Sequence, residues 1–174
     1  MSLPALSIST WRYATGSSAE LSAGEGFTVG ANYTVLQLRR AGEPNPTLYF
    51  RAVGVCFGLG VSPLPASANF SLSDFQSAGT RFTNRCPEKP FCSRDIKRGN
   101  LIVLNTLQGG DRVGVYGTAL YLIDPSISIF SIERVRGACF FAGANFTTPG
   151  VSADFCVLRI IDCGHPSNLL QGGL

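Results

Sequence analysis

The chain has 174 residues, of which 45% are hydrophobic and only 14% charged. A chain so poor in charge and rich in apolar residues is not disordered: it buries a core or turns apolar surface toward a partner, and its length suits one domain. A net charge of +3 is too small to argue for nucleic acid, and a single histidine, His165, excludes multi-histidine metal sites.

In chain order, residues 1–26 have neither a basic stretch nor a long apolar run, so no secretory signal is legible, and they are expected to pack on the domain that follows. No stretch reaches the roughly 18 apolar residues of a membrane helix. A membrane role would therefore not use helices, and the expected compartment is the cytoplasm, or the exterior by a route without a cleaved leader. Residues 34–40 and 48–61 alternate as strands do, separated by the turn chemistry of AGEPNP at 41–46. Residues 69–75 are ambiguous between a strand and a short turn, and SLSD at 71–74 could cap one short helix. Strand patterns follow at 101–107, 112–123, 126–132, 138–146 and 155–161, with reversals expected at QGGD (108–111), DPS (124–126) and TTPG (147–150).

The pattern predicts an all-β fold: one antiparallel sandwich or barrel of about eight strands with at most one short helix. The β domain is expected over 27–163, with a basic, cysteine-containing loop at 81–99 and a tail over 164–174. That loop concentrates charge. Arg81, Arg85, Lys89, Arg94, Lys97 and Arg98 face only Glu88 and Asp95, so this window carries +4 and the rest of the chain −1. Such a window is a solvated loop or a contact for an acidic partner or lipid headgroups.

The run AVGVCFGLGV at 52–61 alternates by size rather than polarity. Gly54, Gly58 and Gly60 make one face nearly bare, which lets a ligand or another backbone come close. Val53, Val55, Phe57, Leu59 and Val61 on the other face are expected to feed the core. A similar phrase, GACFFAG at 137–143, breaks the size rule at Phe141 and does not mark a duplication.

Six cysteines are too few to be the main framework of a chain this long. Cys86 and Cys92 flank PEKPF and could close a small loop as a disulfide. Cys156 and Cys163 lie in one extended run and on opposite faces, too far apart to pair with each other. A Cys163–His165 pair supplies at most two metal ligands. No nucleophile elbow, phosphate loop or dinucleotide fingerprint is present, and no catalytic residue, metal or cofactor is nominated. Sequons at Asn32, Asn69 and Asn145 matter only on a eukaryotic secretory route.

The segment TWRYA at 10–14 resembles the first-strand region of lipocalins, in which a tryptophan closes one end of an eight-stranded barrel; Ser9 stands where that family has glycine. The resemblance implies an apolar-ligand carrier. The leading expectation is instead a non-catalytic binding module that engages an unknown protein, or itself, through the 81–98 loop. A membrane-active, toxin-like protein and a structural subunit of a homo-oligomer complete the set.

Overall fold

The computed structural model describes residues 7–24, 26–61, 66–75, 81–84, 96–123 and 135–167. All its elements are strands: β1 (Ser7–Ala23), β2 (Phe27–Arg40), β3 (Leu48–Val61), β4 (Ala66–Phe75), β5 (Arg81–Asn84), β6 (Leu101–Ile123) and β7 (Val135–Gly164). The expected all-β, barrel-like architecture is what forms. Residues 69–75, ambiguous in sequence between a strand and a short turn, are strand: Ala66 to Phe70 pair with β1 and Phe70 to Phe75 with β7, and those ladders satisfy the backbone groups.

Every pairing is antiparallel. The long strands β6 and β7 stay paired from Leu101↔Arg159 to Ile123↔Val135, with an irregularity between Gly110 and Arg112. The hairpin expected at 108–111 and the break expected at 147–150 do not separate strands: both segments lie inside this continuous ribbon, which folds back on itself there without losing its ladder. The Thr106 and Thr118 hydroxyls, twelve positions apart, come within 2.9 Å. A Cβ on Gly110 would collide with Gly114 Cα, and Arg112 (φ 65°) and Gly150 (φ 143°) take positive φ where the ribbon turns.

On its other edge, β7 receives β3 along its C-terminal half and β4, then β5, along its N-terminal half. β3 pairs onward to β2, β4 and β5 pair onward to β1, and β1 pairs with β2. The result is a nearly closed, barrel-like sheet of seven described strands, creased where β6 and β7 fold back together. Residues 7–23 are thus an integral staff of the wall. The strand expected at 126–132 lies outside the described residues.

One end of the interior is a conventional core. Trp11, Tyr13, Leu36, Leu38, Phe50, Ile102, Leu104, Leu120, Leu122, Phe141, Leu158 and Ile160 are buried together, with Ile96 below them. Tyr13 stacks on Phe141 at 4.5 Å between ring centroids, and Tyr116 meets Phe141 edge-on. Outside this end the wall is polar. Arg51 lies over Tyr49 at 5.8 Å, and the Tyr49 hydroxyl donates to Asp162 at 2.8 Å; at the rim of the interior, Arg40 lies over Trp11 at 5.4 Å.

Candidate functional site

Toward the creased end the two faces exchange character. Along β2 the inward side chains run Thr28, Asn32 and Thr34 before becoming Leu36 and Leu38, while the outward ones run Phe27, Val29, Ala31 and Tyr33 before becoming Gln37 and Arg39. The same inversion occurs on β6, from inward Ile102 and Leu104 to Thr106 and Gln108, and on β7, from inward Ile160 and Leu158 to Asp154 and Ser152. The exposed outer face there is apolar: Val53, Val55, Phe57, Leu59, Leu107, Val113, Val115, Phe140, Phe146, Val151 and Phe155.

Two of these, Leu59 and Val115, are 66% and 59% exposed, far beyond what an isolated surface hydrophobe needs explaining. No charged residue interrupts the outward positions from 27 to 35, 53 to 59, 113 to 121, 138 to 146 or 151 to 157. The belt ends at Asp111 and Arg112, exposed at the turn, and on the opposite side at Arg51, Arg159 and Asp162.

The expectation that Val53, Val55, Phe57 and Leu59 feed the core is therefore corrected: all four point outward. The interior beside β3 is too narrow for them. A Cβ on Gly54 would collide with the Val157 carbonyl oxygen and lie 2.7 Å from Leu158 Cα; one on Gly58 would collide with Asp154 Oδ1; one on Gly60 would come within 3.0 Å of Ser152 Cβ. What approaches Gly54, Gly58 and Gly60 is β7.

Between those glycines, Cys56 faces Cys156, and the two are joined as a disulfide with Cα atoms 4.0 Å apart. Glu20 Oε2 sits 3.6 Å and 3.9 Å from the two sulfurs. These three donor atoms lie within 4.8 Å of one another, a metal-ligand spacing, but sulfurs joined to each other are not thiolate ligands. Sequence reasoning missed this pair although a signal existed. VCF at 55–57 is mirrored by FCV at 155–157, and antiparallel pairing sets Val55 against Val157, Cys56 against Cys156 and Phe57 against Phe155.

Among the described residues, the polar interior holds two hydrogen-bonded clusters. Asn32 Nδ2 donates to Glu20 Oε2 at 3.2 Å, and the Thr34 hydroxyl donates to Asn32 Oδ1 at 2.6 Å. Asn145 Nδ2 donates to Gln108 Oε1 at 2.8 Å; Gln108 Nε2 and the Ser152 hydroxyl donate to Asp154 Oδ2 at 3.1 Å and 2.7 Å. Asn32 and Asn145, two of the three sequon asparagines, are thus buried inside the wall. A cavity of about 40 Å³ remains among these groups. The larger hollow, an apolar groove of about 520 Å³ lined by Phe27, Phe57, Leu59, Leu107, Phe140 and Phe155, is on the outer face.

Of the basic residues singled out in sequence, Lys97 and Arg98 are exposed in the turn before β6, at the conventional end of the barrel. Arg81 opens β5, opposite Arg12. Arg85, Lys89 and Arg94 lie outside the described residues, as do Cys86 and Cys92 and their expected disulfide. His165 is exposed, its Nδ1 2.9 Å from the Ser167 hydroxyl; Cys139 is buried and Cys163 half-buried, both outside the disulfide. Comparison with protein-family models, curated proteins and solved structures finds no match to this chain.

Proposed function

We propose that the protein is a non-catalytic, membrane-embedded β-barrel module: the creased, belted half sits in lipid and the arginine-bearing half stands in water. The observation that carries this reading is the exchange of inside and outside along β2, β6 and β7. Soluble antiparallel walls are polar outside; walls in a bilayer are apolar outside and polar within. The belt lies on both halves of the barrel. A single docking partner covers one side, whereas lipid covers all of them.

Dimensions and charge support the same reading. At about 3.4 Å per residue, the outward apolar runs of β2 and β6 extend about 27 Å, or about 20 Å along the membrane normal at a tilt of about 40°. That suits a thin bilayer, with a modest mismatch cost. Asp111 and Arg112 would cap the far side, as polar turns do in membrane hairpins. Arg51, Arg159, Lys97 and Arg98 would meet anionic headgroups on the near side, which gives the basic 81–98 window a lipid partner. A cross-strand disulfide is the habit of exported proteins. Among the described residues the cavity in the polar interior is about 40 Å³, which favours an anchor over a pore and is far below the few hundred Å³ of a small-molecule carrier.

Flotation of the full chain with liposomes tests the reading. The expected result is co-flotation without leakage of a trapped dye. A chain left in the dense fraction overturns it, and light scattering would then show whether other copies of the chain cover the belt.

A further inference from the structure

We propose that the barrel interior binds a hard divalent cation, calcium, between Glu20 and Asn145. Glu20 is 7% exposed and Asn145 3%, and both line the same cavity of about 40 Å³. Each keeps one buried oxygen with no hydrogen-bond donor, Oε1 of Glu20 and Oδ1 of Asn145, while the other polar atom of each is engaged by Asn32 or Gln108. Two buried acceptors without donors among the described residues, on side chains that line one small cavity, are a standing cost unless a donor or a cation meets them.

The charge balance asks for a cation. Glu20 and Asp154 are both buried, and their polar neighbours are Asn32, Gln108 and Ser152, all neutral. Among the described residues, no lysine, arginine or histidine lines the cavity. Buried carboxylates are ordinarily paired or bound to a metal. A divalent ion in the cavity would meet Glu20 directly and offset Asp154, which does not line the cavity, only at longer range.

The donor set selects the ion. The cavity offers the Glu20 carboxylate, the Asn145 amide oxygen and the hydroxyls of Thr34, Thr106 and Thr118, all hard oxygen donors. The nearby sulfurs of Cys56 and Cys156 are bonded to each other, which removes the soft ligands that zinc or copper would take. At about 10–15 Å³ of such volume per water, the space holds about three waters, so the ion must exchange part of its hydration shell for protein oxygens. Calcium does so readily and accepts irregular geometry; magnesium dehydrates reluctantly.

The site does not depend on bilayer insertion, and its test is made on the purified full chain, apart from flotation. Tyr116 lines the cavity and can sensitise a bound terbium ion, a calcium surrogate. Tyrosine excitation should give terbium emission that calcium displaces and magnesium does not, and calcium should raise the melting temperature. Glu20→Gln should weaken calcium by at least about tenfold, or about 1.4 kcal/mol. Should that variant fail to fold, Asn145→Ala is read the same way. Absent emission, displacement by magnesium at equal concentration, or calcium affinity unchanged in the substituted chain would each overturn the site.

Discussion

Cys56 and Cys156 stand directly opposite each other on β3 and β7, one hundred residues apart in sequence, with their Cα atoms 4.0 Å apart. The bond joins strands that the ladder already pairs. What it adds is a constraint on the unfolded chain, by closing a long loop. Replacing both cysteines by serine should lower unfolding stability by about 2–4 kcal/mol, measured by denaturant titration. A non-reducing peptide map should contain one linked species bearing both residues; finding both as free thiols in exported material would contradict the pairing.

Gly54 should tolerate no side chain. Its missing Cβ would collide with the Val157 carbonyl oxygen and sit 2.7 Å from Leu158 Cα, and backbone in a ladder cannot step aside without losing hydrogen bonds. Gly54→Ala is expected to cost about 1–3 kcal/mol in thermal or chemical melts. Gly117→Ala is the comparison: its Cβ meets Phe140 Cζ at 3.2 Å, the ring tip of an exposed side chain that can swing away, and the cost should stay within about 0.5 kcal/mol.

The belt gives a depth-dependent prediction. Phe57 lies mid-belt on the outer wall, and Gln37 lies outward on β2 beyond the belt's edge. Phe57→Arg should weaken partitioning into liposomes by about 2–4 kcal/mol, whereas Gln37→Arg should leave it near zero or improve it on anionic vesicles. Equal effects from the two substitutions would remove the belt from the account.

The conventional end should behave like any soluble core. Phe141 is stacked on Tyr13 and 6% exposed, so Phe141→Ala should cost about 3–5 kcal/mol of stability. Val115→Ala, on the outer wall, should change stability in denaturant melts little while reducing lipid partitioning. The two substitutions separate folding from membrane association within one strand pair, since β6 and β7 carry both positions.

Much of the wall was legible in sequence. The strands at 34–40, 48–61, 101–107, 112–123 and 155–161 all form, because period-two alternation and Gly/Pro punctuation are local properties of the chain. The hairpin expected at QGGD does not form: residues 108–111 lie inside the continuous strand β6, where the ladder to β7 is irregular and the ribbon bends. Residues 69–75 were ambiguous because a short segment with strand partners on both edges takes its conformation from those partners. The interior clusters were illegible: Glu20, Asn32, Gln108, Asn145 and Asp154 come from four strands and look like ordinary surface residues one at a time.

The sequence by itself determined which residues share a face. Alternation along 52–61 put Gly54, Cys56, Gly58 and Gly60 together and Val53, Val55, Phe57 and Leu59 together, and the fold keeps both groups intact. It could not determine which face is inside, since period two is symmetric between the two sides of a sheet and the hydrophobic rule gives the wrong sign when the outer wall is apolar. Closure of the barrel made that choice. β7 comes so close to β3 that only glycines and a bonded cysteine fit between them and the polar interior, so the large side chains are left on the outside.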